Sequence, residues 1–217
     1  MSTVVPLLLS ISLFLLQSLF AVGQRRDEVP IANSNCKLPK DRGISFNGAI
    51  KAQIKWFFDI ETLQCLAFKF EGTRGNGNRF DSIFECRRKC QLPADYGGCS
   101  GQKPSARNNR GEYIVCSMTG TERCPVGYRC QMLAFFGVCC HLDTEEMFQR
   151  NFNPPKCANG KNPHKLYDPL NKMTMTYLGK NCSDEFCPIG QRMKCHQQEI
   201  FAYCCPPTDN NPTDLFV

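Results

Sequence analysis

The residues with chemistry to offer are thiols. The chain carries sixteen cysteines among 217 residues, an even number, and all of them lie beyond residue 23. A cysteine acts as a nucleophile, ligates a metal or oxidises to a disulfide. No nucleophile elbow or triad spacing accompanies these cysteines, so an enzyme is not expected. Tetrahedral zinc fails on spacing. There is no Cys-x-x-Cys knuckle, and His141, His164 and His196 do not fall at ligand intervals. A disulfide framework remains, formed in an oxidising compartment, with no cofactor and no metal.

The cysteines form three even groups that can each close on themselves. Four lie within 36–90, six within 99–140 and six within 157–205. Polar segments marked by Pro or Gly separate them, from Gln91 to Gly98 and from His141 to Lys156. The second and third groups repeat one another. Cys99-Ser-Gly101-Gln-Lys-Pro104 matches Cys157-Ala-Asn-Gly160-Lys-Asn-Pro163. A lone cysteine follows, Cys116 or Cys182. Then comes Cys124-Pro125-Val126-Gly127 or Cys187-Pro188-Ile189-Gly190. After Cys130 or Cys195 and eight intervening residues stands an adjacent pair, Cys139-Cys140 or Cys204-Cys205. Neighbouring cysteines rarely pair with each other because the ring is strained, so each pair ties two other segments together. Six cysteines allow fifteen connectivities, and the sequence leaves them open. Repeats this short need covalent staples in place of a large core.

The ends agree with export. Val4 to Phe20 is almost wholly apolar and closes on Ala21-Val22-Gly23, which reads as a signal peptide over 1–23. An uncleaved anchor is the alternative, since the run approaches bilayer-spanning length. Arg25-Arg26 beyond it and Pro6 within it favour cleavage, and no second apolar run spans a membrane. A linker is expected over 24–35 and a disordered tail over 207–217. The formal charge of +6 lies entirely beyond residue 23 and is spread out, with Arg87-Arg88-Lys89 the densest cluster. Such a surface suits acidic matrix polysaccharide or a solvated helix face, and nothing in it points to nucleic acid.

The elements of the first group are legible. Lys51 to Ile60 favours strand. Asp59 to Gln64 supplies a turn, and Leu66, Phe68 and Phe70 alternate with Ala67 and Lys69. Together they predict a hairpin, with Trp56 in the core. After the Gly/Asn-rich stretch 72–78, Ser82-Ile-Phe-Glu85 reads as a capping box opening a short helix that carries Cys86 and Cys90.

In these residues the chain resembles a Kunitz-type serine-protease-inhibitor domain. The resemblance covers 36–90. It rests on Cys36-Lys-Leu38-Pro39-Lys-Asp41-Arg-Gly43, Lys55-Trp56-Phe57-Phe58-Asp59, Cys65-x-x-Phe68-x-Phe70, Gly72, Asn78-x-Phe80-x-Ser82 and Cys86-x3-Cys90. It implies Cys36–Cys90 and Cys65–Cys86 bridges and a protease-binding loop. Residues 99–140 and 157–206 resemble lustrin-type cysteine-rich repeats of secreted matrix proteins. A whey-acidic-protein module, normally with eight cysteines, fits less well. The fold class implied is small, disulfide-rich and multi-domain: an α+β Kunitz module of hairpin plus C-terminal helix, then two short cysteine-knotted repeats. The arrangement is similar to secreted nematode Kunitz-type proteins linked to cuticle formation and moulting.

The departures bear on function. Kunitz domains carry six cysteines, and the pair that clamps the protease-binding loop is absent here. One missing position falls on Thr73. The other is Ser45 counted forward from Cys36 and Ala49 counted back from Trp56. An insertion of four residues therefore lies between Gly43 and Ile54, and Glu71 replaces a glycine usual beside the loop. The candidate loop is Ser45, Phe46, Asn47, Gly48, Ala49, Ile50 and Lys51. Its primary specificity residue is Phe46 or Ile50, neither of them the Lys or Arg a trypsin-like pocket takes, with Lys51 one step away. Ordering four extra residues costs about 1–2 kcal/mol each, which is at least about a thousandfold in affinity. The expected function is a secreted, extracellular modulator of serine proteases with an atypical, weak inhibitory loop. The alternative is a structural or adhesive matrix protein that keeps the fold as a scaffold, with matrix proteins or acidic polysaccharide as partners. Two smaller features are a glycosylation sequon at Asn181-Cys182-Ser183 and a processing-type sequence at Arg107-Asn-Asn-Arg110, which also reads as a plain exposed loop.

Overall fold

The computed structural model describes residues 31–46, 50–90, 92, 98–117, 123–133, 136–169 and 172–207. The segments expected as signal peptide, most of the first linker and nearly all of the tail lie outside them.

The first group folds around strands β1 (Gln53–Asp59) and β2 (Gln64–Phe70), which pair antiparallel with Trp56 opposite Ala67 and Phe58 opposite Cys65. Helix α1 (Ile83–Lys89) follows. Ser82 caps it, its Oγ accepting from Glu85 N at 3.1 Å. The return bond of the expected capping box lands one residue early, with Glu85 accepting from Asp81 N at 2.9 Å. Disulfides join Cys36 to Cys90 and Cys65 to Cys86. Asn78 is fully buried and ties three segments, accepting from Phe58 N and donating to Phe58 O and Leu38 O.

Both faces of this hairpin are apolar, which decides what the rest of the chain must do. Trp56, Phe58, Cys65 and Ala67 point to one side and pack with Phe80, Ile83, Cys86, Tyr177 and Phe186. Phe57, Leu66, Phe68 and Phe70 point to the other and pack with Phe148, Leu178, Phe201 and Tyr203. A two-stranded sheet cannot cover two apolar faces by itself, and the later cysteine groups supply the cover.

The second group makes a small sheet of β3 (Val115–Cys116), β4 (Tyr128–Met132) and β5 (Gly137–His141), ordered β3-β5-β4. β5 runs straight into helix α2 (Leu142–Phe152). The segment expected as a polar linker is therefore largely this helix. Its Phe148 meets Phe201 edge-on at 5.9 Å, and its Phe152 meets the same ring at a tilt at 5.3 Å. Its buried Glu145 accepts from Ser100 N and Ser100 Oγ at 2.6 and 2.8 Å. Buried Asn151 accepts from Ile200 N and Phe201 N.

The third group provides a hairpin of β6 (Lys165–Asp168) and β7 (Met173–Thr176), then β8 (Leu178–Gly179), β9 (Lys194–Gln197) and β10 (Ala202–Cys205). Strands β8, β10 and β9 extend the first group's hairpin into one five-stranded sheet, ordered β1-β2-β8-β10-β9. The junction is parallel, with Ala67 opposite Gly179. Gly179 is required there, since a Cβ would stand 2.4 Å from the buried Phe186 ring.

The six-cysteine groups share one pairing order: first to sixth, second to fourth, third to fifth. These are Cys99–Cys140, Cys116–Cys130 and Cys124–Cys139, then Cys157–Cys205, Cys182–Cys195 and Cys187–Cys204. Each adjacent pair reaches two separate segments, and no bridge crosses between groups. Covalently the groups are closed, but the first and third share a sheet and two cores. This differs from the expectation of units separated by linkers.

Candidate functional site

The candidate site is the loop entering at Asp41, facing the return segment at residues 71–74. Asp41 Oδ1 accepts from Gly43 N at 2.9 Å and fixes the entry turn. Glu71 N donates to Arg42 O at 2.8 Å. Ile44 N donates to Thr73 O at 2.9 Å, Thr73 N returns to Ile44 O at 3.2 Å, and Thr73 Oγ1 adds a third bond to Ile44 O at 2.7 Å. Thr73, expected to be a vacated clamp position, thus holds Ile44 through three hydrogen bonds. Gly43 makes this approach feasible. It has φ +65°, and a Cβ would lie 2.2 Å from Thr73 O and 2.6 Å from the Phe70 ring.

Across the loop base Thr73 faces Ile44, the residue before Ser45. The Ile44–Thr73 bridge and the β1–β2 pairing, which begins with Gln53 opposite Phe70, bracket the loop. The interval expected to carry the insertion, Gly43 to Ile54, contains this bracket. Ser45 and Lys51 are exposed, Phe46 is 61% exposed and Ile50 47% exposed. Asn47, Gly48 and Ala49 lie outside the described residues. Ile50 sits against Gly72, whose absent side chain leaves 3.0 to 3.2 Å to Ile50 atoms. The described loop thus presents Ile44, Phe46 and Ile50, an apolar surface on a pinned base.

A charged cluster supports that base from outside. Arg42 donates to Glu71 Oε1 at 2.7 Å, to Glu185 Oε1 at 2.8 Å and to Ser183 O at 2.8 Å. Lys69 donates to Glu185 Oε2 at 2.7 Å, and Lys40 pairs with the buried carboxylate of Asp184. Hydrogen bonds from Arg42 and then Lys69 hold the Glu185 carboxyl below the usual carboxylate range. The same bonds to Glu185 raise both Arg42 and Lys69 above their ordinary values. Sequence reasoning missed this cluster. Glu71 in place of glycine was the one available signal, and its partner Arg42 stood in the same loop.

The remaining sequence candidates are apart from the loop's apolar surface. Asn181 is half-buried at the start of the turn Cys182–Asp184, with its Oδ1 engaged by the Ser183 hydroxyl. Two sets of ligand-type side chains converge, Cys116 with Cys124 and Cys139, and Cys99 with Cys140 and Glu145. Every sulfur in them is already bonded to another sulfur. Glu145 is held by Ser100.

A family model of the Kunitz/bovine pancreatic trypsin inhibitor domain matches residues 35–91. The chain is 40% identical over 174 residues to the major allergen Ani s 1 of Anisakis simplex, spanning 79% of this chain and 87% of that protein. It is 32% identical over 156 residues to a BPTI/Kunitz inhibitor domain-containing protein of Caenorhabditis elegans, spanning 71% and 80%. The chain belongs to the Kunitz/BPTI family. Its Kunitz domain is also 35% identical over 60 residues to the Kunitz-type serine protease inhibitor kunitoxin-Phi1 of Philodryas olfersii, a match of 28% of this chain and 57% of that one. A domain of Kunitz inhibitor type is what this family membership carries. Eight disulfides and no free cysteine place folding of the Kunitz domain and its partners in an oxidising compartment. Among the described residues no helix is long and apolar enough to cross a membrane.

Proposed function

We propose that the chain is a secreted Kunitz-type modulator of extracellular serine proteases whose loop offers an apolar residue, Phe46, to the primary pocket. The observation that carries this is the pinned loop base at Arg42–Ile44, with Phe46 61% exposed directly beyond it. Counting forward from Cys36 makes Phe46 the contact residue, and the pairing of Thr73 with Ile44, next to Ser45, favours that count over the one that gives Ile50. An aromatic side chain suits a hydrophobic slot of chymotrypsin type and leaves the acidic pocket of trypsin unpaired. Kunitz-type inhibitors bind tightly when the loop is already in its bound shape. Here the base is ordered by hydrogen bonds while the distal loop is longer and lacks the clamp disulfide, so affinity is modest.

A second reading is favoured by a separate observation. The two six-cysteine groups share one pairing order, and matching turns display Val126, fully exposed, and Ile189. Repeated apolar tips suit an adhesive role in an extracellular matrix or cuticle, with matrix proteins or acidic polysaccharide as partners. The lustrin-type likeness of residues 99–140 and 157–206 belongs to this reading. So does glycosylation at Asn181.

Hydrogen exchange of the full chain with chymotrypsin separates the two. Protease-dependent protection over residues 41–51 and 71–74 is expected. Protection confined to the tips at Val126 and Ile189, or none anywhere, removes the protease-directed reading.

A further inference from the structure

The turn Cys182–Glu185 lies in the third cysteine group, yet its contacts go to the base of the Kunitz loop, with Arg42 and Ser183 separated by 141 residues of sequence. Three cations, Lys40, Arg42 and Lys69, meet three anions, Glu71, Asp184 and Glu185. The turn itself is rigidly built. Cys182 is tied to Cys195, Cys182 N donates to Gln197 Oε1 at 3.0 Å, and Glu185 N closes on Cys182 O at 3.1 Å. Glu185 has φ +49°, which turns its carboxylate so that one oxygen meets Arg42 and the other Lys69. Arg42 serves three acceptors at once, which a lysine's compact ammonium cannot do with the same fixed geometry.

We propose that this turn is a brace for the protease-binding loop, with Glu185 and Asp184 as positioning residues that set the loop base, Glu185 through Arg42 and Asp184 through Lys40. In this chain the brace stands in for part of the missing covalent clamp: Thr73 supplies a tie on the inner side, and the third cysteine group supplies one on the outer side. Its mechanical content is independent of any ligand. Its consequence for inhibition rests on the protease-directed reading. Charge-assisted bonds are shorter and stronger than neutral ones, and several charges in one network contribute where an isolated surface pair contributes little.

The test is amide exchange in the full, oxidised chain, read at Glu71, Ile44 and Thr73, whose N–H groups span the loop base. Glu185→Ala is expected to lower protection there by about three- to tenfold, the fold-change for losing two charge pairs of this kind. Glu185→Gln, which keeps an acceptor without the charge, should recover part of it. Glu199→Ala, which removes an exposed pair with Arg150 elsewhere in the same group, should leave these amides unchanged. Unaltered protection in Glu185→Ala and in the Asp184→Asn/Glu185→Ala double variant overturns the proposal. Protease inhibition is measured in parallel. Lowered protection together with a wild-type chain that inhibits nothing would remove the inhibitor reading and leave the brace standing.

Discussion

Asn78 and Gly43 show how much of the Kunitz loop is set by single side chains. Asn78 has no exposed surface and satisfies Phe58 N, Phe58 O and Leu38 O. Asn78→Ala leaves buried backbone groups unpaired, at about 1–3 kcal/mol per group. A loss of about 2–4 kcal/mol in urea unfolding is expected, with the disulfides intact. Gly43→Ala forces a Cβ into Thr73 O at a positive φ. It should detach the loop base, seen as loss of amide protection at Ile44 and Thr73 with little change in the strands. Glu185 gives a pH signature. Its carboxyl is held below the usual range by Arg42 and Lys69. Its contribution is therefore fully present above the ordinary glutamate value of about 4.3 and is lost as pH falls through the lowered value. Protection at the loop base, corrected for intrinsic exchange, should decline only below about pH 4 in the wild type and show no such step in Glu185→Ala. At this scale the sequence was informative about types and poor about partners. Thr73 was recognisable as a vacated cysteine position, but Ile44 as its neighbour required the fold.

At the scale of elements, the hairpin and the helix after Ser82 were readable because alternation and capping are local. Helix α2 is hidden in the sequence, since 141–156 is polar on average and reads as a linker. The signal was present in Met147, Phe148 and Phe152, and in the unexplained apolar character of both hairpin faces. Phe57 with Leu66, Phe68 and Phe70 had to be covered by something. Phe148 is that cover, buried against Phe201 and close to Gly101. Phe148→Ala should cost about 3–5 kcal/mol, measured by thermal unfolding. Because α2 joins the second cysteine group to the Kunitz sheet, that loss should appear in the unfolding of the Kunitz strands as well.

For the whole molecule, the cysteine groups keep their bonds to themselves while their strands do not. A parallel bridge at Ala67 and Gly179, the Lys180 contacts to Asp59 and Glu61 at 2.8 and 2.9 Å, and the Glu185 cluster couple the third group to the Kunitz domain. Cysteine spacing alone carried no sign of this coupling, because even counts report covalent closure and say nothing of sheet continuation. The Kunitz-type loop is proposed to be apolar at its contact residue and incompletely preorganised. The most direct measurement is the pair of inhibition constants of the full, oxidised chain against chymotrypsin and trypsin under one set of conditions. Measurable chymotrypsin inhibition that Phe46→Ala abolishes is expected, with no nanomolar inhibition of trypsin by the wild type or by Phe46→Arg in the unshortened loop. Nanomolar trypsin inhibition by the wild-type chain, or chymotrypsin inhibition indifferent to Phe46, would contradict it.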